Sequence, residues 1–280
     1  MQITKSFIRR NIAWVPLVIV VAWAVVPLLW SLASSFKVAA DFRVIPAPFF
    51  PSSPTLDGFR KVFDDYRFLT MFGNSLGIAI ISTFVAVTLS TFAAYGFSRY
   101  ALRWRHLLLL FVLVPRLVPR VSLIVPVSQL VRAVPGLYNT QLALVIVYAG
   151  AAIPLATWIM IGFIGAIPRD LDEAAKIDGA SSLLTFFRVI LPLSVPGLLT
   201  ISVMAFRDAW NEFPFALALT SSWRTRTLPY QLFLFRDSLG GIDDFATIQA
   251  FTWVTIIPIL FIYIKFEKHV VAGMTSGALK

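Results

Sequence analysis

The 280-residue sequence predicts an all-α, polytopic membrane protein with six transmembrane helices. Composition is the first reason: 58% of residues are hydrophobic and 14% charged, with a mean hydropathy of +0.82, outside the usual balance of soluble globular chains. The second is run length, since several apolar stretches reach the roughly 20 residues that cross a bilayer as a helix. The third is that basic residues gather in the connectors between those stretches.

The elements follow in order. Lys5, Arg9 and Arg10 precede a first span at about 12–33, too long for the apolar region of a cleaved signal peptide. Ser34 to Met71 is polar and Pro-rich, with a short helix suggested by Leu56, Phe59, Val62 and Phe63. A second span runs over 72–97 and ends in a basic turn of Arg99, Arg103, Arg105 and His106. The third, 107–127, is broken by Pro115, Pro119 and Pro126. A fourth span at 142–164 leads into a charged elbow over 168–188, and a fifth at 190–215 leaves it. An outer loop, Ala216 to Thr247, precedes the last span at 248–264. Poor helix formers Gly273, Ser276 and Gly277 predict that the basic tail leaves the helix from Val271. All of this forms one transmembrane domain, 1–280.

Lys and Arg number twelve on the side of the N-terminus, the 99–106 turn, the elbow and the tail, against nine on the opposite side, spread mostly over two long loops. That bias makes both termini and the elbow cytoplasmic. The net charge of +10 then reflects flanks facing anionic membrane lipids, not nucleic acid, because no aromatic-interleaved basic stripe exists. Without cysteine there is no disulfide, thiolate metal site or cysteine nucleophile. No Gly-Lys dipeptide occurs, so the chain carries no phosphate-binding P-loop.

Within the elbow, Pro168 suits a first helical turn, and Asp170 with Glu173 resembles an Asp capping box. Leu171, Ala174 and Ala175 share one small apolar face, Gly179 ends the helix, and Ser181 or Ser182 caps a second. Glu173-Ala174-Ala175, Gly179, Val189 and Leu191-Pro192 resemble the signature loop of ABC-importer permeases, with Val where Ile is commoner. Asn74-Ser75, Ala93 to Arg99, Trp210-Asn211-Glu212-Phe213 and Val271 to Gly277 resemble the carbohydrate-uptake branch, of maltose and trehalose type.

The resemblance implies a plasma-membrane subunit of a bacterial or archaeal cell, with no catalytic residue, metal or cofactor of its own. It implies as partners a homologous second permease, two ATPase subunits that bind ATP and magnesium, and an extracytoplasmic solute-binding protein. The elbow is then the coupling helix, with Glu173, Ala174, Ala175, Asp178 and Gly179 meeting the ATPase subunit.

Charged groups within spans are costly and mark functional positions. Arg116 and Arg120 stand four apart in span three, and Asp208 and Glu212 four apart in span five, so each pair is expected on one face. Arg207 is expected to point away from Asp208. With Tyr148 and Asn211 they form the candidate substrate cavity, suited to a hydroxylated solute, with Trp158 and Trp210 as further aromatic faces. The arginines also leave room for an anionic solute such as a glycerophosphodiester. His106 and His269 fall at span ends and suggest interfacial residues. A proton-coupled transporter using Asp208 and Glu212, or an enzyme using Asp64-Asp65 or Asp243-Asp244, are the rival classes.

Overall fold

The computed structural model describes residues 14–64, 67–238 and 244–276. Lys5, Arg9, Arg10, Asp65, Gly240, Gly241, Asp243, Gly277 and the last tail residues lie outside them, as does the His269 side chain. Among the described residues every regular element is helical. The chain clusters into two compact units, one from the chain up to Phe68 with Leu232–Ile256, the other from Leu69–Gln231 with the chain from Ile257 on.

In the first unit, α1 (Trp14–Ser34) buries only Ser34 against the rest of the chain, as expected of a helix whose Val, Leu and Trp side chains face lipid. Short α2 (Ala39–Arg43) follows in the segment that the sequence reading left irregular. The next helix, α3 (Asp57–Asp64), coincides with the short amphipathic helix expected there. Gly58 is required here, because a Cβ would stand 3.0 Å from the Ala246 carbonyl oxygen. Aromatic rings fill this unit: Phe42 packs on Phe245 at 5.0 Å and Phe235 on Phe251 at 5.3 Å. Lys37 is buried, donates to Ser34 Oγ at 3.2 Å and lies over the Trp30 ring.

In the order of the chain, α4 (Phe68–Arg99) is the second span, lengthened at its N-terminal end. Span three is not one rod. It consists of α5 (Arg105–Leu113), two 3-10 turns (Val114–Arg116 and Arg120–Leu123) and α6 (Ile124–Ala133), and its two halves bend by 91°. Pro115 and Pro119 lie at the break, Pro119 with extended backbone. Pro126, expected to break the span as well, sits in the first turn of α6, where its missing N–H has no intrahelical acceptor to lose.

Span four is α7 (Gln141–Ala166), capped by Thr140 and continuous through Pro154. The elbow holds α8 (Asp170–Ile177) and α9 (Ser182–Thr185), then a π-helical turn, Phe186–Ile190, and α10 (Leu191–Leu193). Span five is α11 (Val195–Trp210), turned 76° from the helix before it. Pro192 and Pro196 remove two ladder donors there, and Ser194 donates to Ile190 O from both its N–H, at 3.0 Å, and its hydroxyl, at 2.8 Å.

The fifth span was expected to reach 215, but it stops at Trp210, and α12 (Pro214–Leu219) restarts with Pro at its first position. The outer loop is likewise not all loop, since α13 (Leu228–Ser238) occupies it. The last helix, α14 (Phe245–Ser276), continues past 271, so the tail does not leave the helix where its glycines suggested. Among the described residues, four helices are long and apolar enough to cross a membrane, or up to six if each bent pair counts as one span.

The second unit centres on α7 against α11. A core of Ala94, Tyr95, Ala156, Met160, Ile164, Phe186, Ile190 and Ile201 joins α4, α7, α11 and the π-helical turn. Gly197 permits the α7–α11 approach, as a Cβ there would meet Phe163 at 2.6 Å.

Candidate functional site

The elbow is positioned by local chemistry at both ends. Acidic Asp170, Asp172 and Glu173 fill the first turn of α8 and Lys176 the last, matching the helix dipole. Gly179 takes φ +82 and closes the helix, with its N–H donating to Lys176 O and the Ala180 N–H to Ala175 O. Ser181, not Ser182, caps the next helix by accepting from Leu184 N–H at 3.3 Å. Leu171, Ala174, Ile177 and Leu183 are exposed, Ile177 at 87%, and Glu173 and Asp178 are exposed beside them. These apolar side chains lie outside the chain's own core.

The expected Asp170–Glu173 capping box does not form. Arg169 occupies the cap position in helical conformation and no side chain caps it. Backbone bonds from Asp172 N to Arg169 O and from Leu171 N to Pro168 O close the first turn instead. Asp172 faces inward, 3.0 Å from Arg99 Nε in an ionic contact without hydrogen-bond alignment, with 7% and 12% of the two side chains exposed. Arg99 Nη2 donates to Ile167 O at 3.0 Å, Arg169 Nη2 to Ser98 O at 3.2 Å, and the Tyr95 hydroxyl to Ser182 O at 3.3 Å. A cavity of about 190 Å3 between these residues is lined also by Tyr100, Glu173 and Lys176. Sequence reading placed Arg99 in the basic turn with Arg103 and Arg105. The signal for its inward role was the aspartate that the elbow carries beyond its signature residues.

The second cluster lies where span three is broken. Arg120 Nη2 donates to Asp208 Oδ2 at 3.2 Å, Arg116 stands 3.9 Å from the same oxygen, and Arg207 Nη2 donates to Oδ1 at 3.1 Å. Arg116 and Arg120 therefore converge across the Pro119 break without sharing a continuous helix face. Arg207 reaches its neighbour's carboxylate despite the helical offset expected between adjacent residues. Arg116 also donates to Ala151 O at 3.4 Å, in the turn of α7 that Pro154 opens. Arg116 and Arg120 line a cavity of about 290 Å3 with Gly150, Ala151 and Pro154.

Asp208 and Glu212 do not share a face either, because the helix ends between them. Glu212 is buried and accepts from Phe215 N–H at 3.0 Å and Ala216 N–H at 3.2 Å, capping α12. Tyr148, on α7, is buried and lines a narrow cleft with Arg120, Asp208 and Glu212. Its hydroxyl makes no hydrogen bond of good geometry. Asn211 stays outside that cleft and donates to Arg207 O at 3.0 Å as the C-cap of α11. Trp210 packs on Phe206 and Phe72, while Trp158 is exposed on α7.

A larger groove, about 620 Å3, is lined by Phe84, Phe92, Leu198, Phe206 and other apolar side chains. The Thr91 and Ser202 hydroxyls there donate to their own helices. Among the described residues no group of three His, Cys, Asp or Glu side chains could hold a metal ion.

A polytopic helical bundle with a projecting amphipathic elbow and an ionic cluster between broken spans is the architecture of a transport permease. The chain belongs to the family described as binding-protein-dependent transport system inner membrane component, which its residues 86–267 match. It is 36% identical over 273 residues, 97% of this chain and 98% of the relative, to a trehalose transport system permease protein of Mycobacterium tuberculosis. A trehalose/maltose transport system permease protein of Thermococcus litoralis is 34% identical over 99% of both chains. A sulfoquinovosyl glycerol transport system permease protein of Agrobacterium fabrum is 35% identical over 91% of this chain and 88% of its own. Among solved structures, a bacterial ABC transporter that imports the acidic polysaccharide alginate aligns with a TM-score of 0.79 at 20% identity, over 94% of this chain and 97% of that one. This last likeness is one of fold.

Proposed function

We propose that the chain is one permease subunit of an ABC importer for a sugar or oligosaccharide of trehalose or maltose type. A homologous second permease completes the pathway in the cytoplasmic (inner) membrane of a bacterium or archaeon. Two partner ATPase subunits bind and hydrolyse ATP with magnesium, and an extracytoplasmic binding protein delivers the solute. Both termini and the elbow are cytoplasmic.

The observation that carries this reading is the elbow. It presents Leu171, Ala174, Ile177 and Leu183 outward while Asp172 holds it inward. A connector serving only to join two spans has no reason to leave that apolar surface bare. The carbohydrate relatives support the solute class. Arg116, Arg120 and Asp208, with Tyr148 and Glu212 behind them, supply donors and acceptors for solute hydroxyls on the pathway. Nucleotide closure of the ATPase dimer moves the elbow and switches the spans between inward- and outward-facing states.

An anionic sugar derivative is the second reading. It is favoured by three guanidinium groups converging on the Asp208 carboxylate. Reconstitution of the four-component complex in proteoliposomes tests both. ATPase activity stimulated by binding protein loaded with trehalose or maltose supports the first reading, and stimulation confined to a sulfonated or phosphorylated glycoside supports the second. Uptake driven by a proton gradient without ATP would overturn both.

A further inference from the structure

We propose that Arg99 and Asp172 are positioning residues that brace the coupling elbow against the end of α4, so that α8 and the last turns of α4 move as one body. The inference rests on the permease reading above and adds the route by which force leaves the elbow.

Covalent connections alone transmit force poorly here. The chain enters α8 through Ile167, which has extended backbone, and leaves it through Gly179 with φ +82. Both joints are short non-helical breaks, Ile167 to Arg169 and Asp178 to Ser181, the kind of place where hinges form. A push on the exposed face of α8 would bend these joints before it tilted α7 or α11.

The end of α4 spans both joints. The Arg99 guanidinium meets Asp172 inside α8 and Ile167 O at the entry joint, 3.0 Å from each. Arg169 returns a bond to Ser98 O, and Tyr95 reaches Ser182 O beyond the exit joint. These partners lie 68 to 87 residues apart in sequence, so the brace is tertiary. Burial of the Arg99 and Asp172 side chains keeps water from competing for the pair. The planar fork of arginine holds a carboxylate and a carbonyl at once, and lysine, a single point charge, cannot hold the same two points with fixed geometry. Tyr95 and Phe186 also pack at 5.0 Å, extending the contact into the core beneath.

The test uses the assembled complex with cysteine-free partner subunits and compares solute transported per ATP hydrolysed. For Asp172→Asn that ratio is expected to fall about tenfold, the scale on which mutations along a mechanical connection change coupling. Arg99→Lys should give an intermediate value, and Arg99→Asp combined with Asp172→Arg should recover part of the loss. A lower yield of complex with an unchanged ratio in all variants overturns the proposal.

Because Asp172→Asn can fail to assemble, a second measurement stands apart from it. Tyr100, the residue after α4, and Lys176 of α8 face the same small cavity, and this chain has no cysteine of its own. Joining Tyr100→Cys to Lys176→Cys with a short bifunctional thiol reagent should leave the ratio unchanged if the two elements move together. Loss of transport on joining them, absent before the reagent, shows that they separate in the cycle and overturns the brace. Gly179→Val distinguishes the two levels of inference. If it uncouples while both brace tests fail, the elbow reading stands and only the brace falls. If the unmodified complex shows no ATP-dependent uptake, the permease reading itself falls.

Discussion

At Asp208 three arginines share one carboxylate, and that imbalance makes the mutations around it unequal. Removing Arg120 leaves Arg116 and Arg207 to neutralise Asp208, so Arg120→Ala should assemble almost normally. Removing Asp208 leaves three guanidinium groups together between spans, at a cost of about 1–3 kcal/mol after allowing for partial exposure. Asp208→Ala should therefore lower the yield and melting temperature of the complex more than either arginine variant does. Equal losses would show that the cluster does not act as one network. If Arg120 also contacts solute, Arg120→Ala loses uptake while the complex remains intact.

Outside the spans, Asp41 accepts from the Ser52 hydroxyl and from Ser52 N–H at 3.1 Å. The Ser52 hydroxyl bond, first of the causes, holds its pKa below the ordinary value of 3.8. A depressed carboxylate stabilises the fold above its unfolded value and loses that contribution as pH falls through the lower folded value. Protection of the Ser52 amide from hydrogen exchange should thus persist at pH 5 to 7 and disappear only below about 3.8. Asp41→Asn should remove this pH dependence. A midpoint above pH 5 would contradict the bond.

Among the elements, the elbow depends on one glycine conformation and the end of span five on one cap. Gly179 at φ +82 occupies a region costing an ordinary residue roughly 1–2 kcal/mol, and more if β-branched. Gly179→Val should redirect Ser181 and α9 and reduce uptake severalfold while ATP binding by the complex persists, with Gly179→Ala milder. Equal uptake in both variants would show that the turn does not set the elbow's direction. Glu212 satisfies two N–H groups at the start of α12, so Glu212→Ala should destabilise by about 1–2 kcal/mol. Glu212→Gln, which keeps an acceptor, should recover most of that. Uptake lost in a stable Gln variant would assign the carboxylate to the pathway as well as to the cap.

For the whole molecule, no residue of α1 before Ser34 and none of α5 is fully buried within the chain. On the proposed function, lipid or the second permease is expected to cover that apolar surface. Co-expression with that permease should raise the yield and melting temperature of this chain, measured by fluorescence-detected gel filtration. Identical profiles with and without it would assign the surface to lipid alone.

Much of the architecture was legible in one dimension. Apolar runs marked α1, α4, α7 and the start of α14 within a few residues, because a span needs a fixed length of hydrocarbon-compatible side chains whatever its neighbours. Proline positions announced the break in span three, and Gly179 announced the turn of the elbow, because both constraints belong to the residue itself. Local reading failed where partners lie far apart in the chain. It assumed that Arg116 with Arg120 and Asp208 with Glu212 each shared a helix face, but helices end between them. It read Asp170 and Glu173 as a cap, and it treated Arg99 as one more basic flank.

What the sequence by itself determined is the membrane-spanning helical class, the order of the spans and the place of the elbow. These follow from hydropathy and backbone permission, which act over a few residues. Only the tertiary structure decided that Arg120 meets Asp208 across 88 positions and Arg99 reaches Ile167 across 68. A buried charge is satisfied by whatever the folded helices bring within about 3 Å, and that depends on how the bends at Pro119 and Ser194 aim each helix.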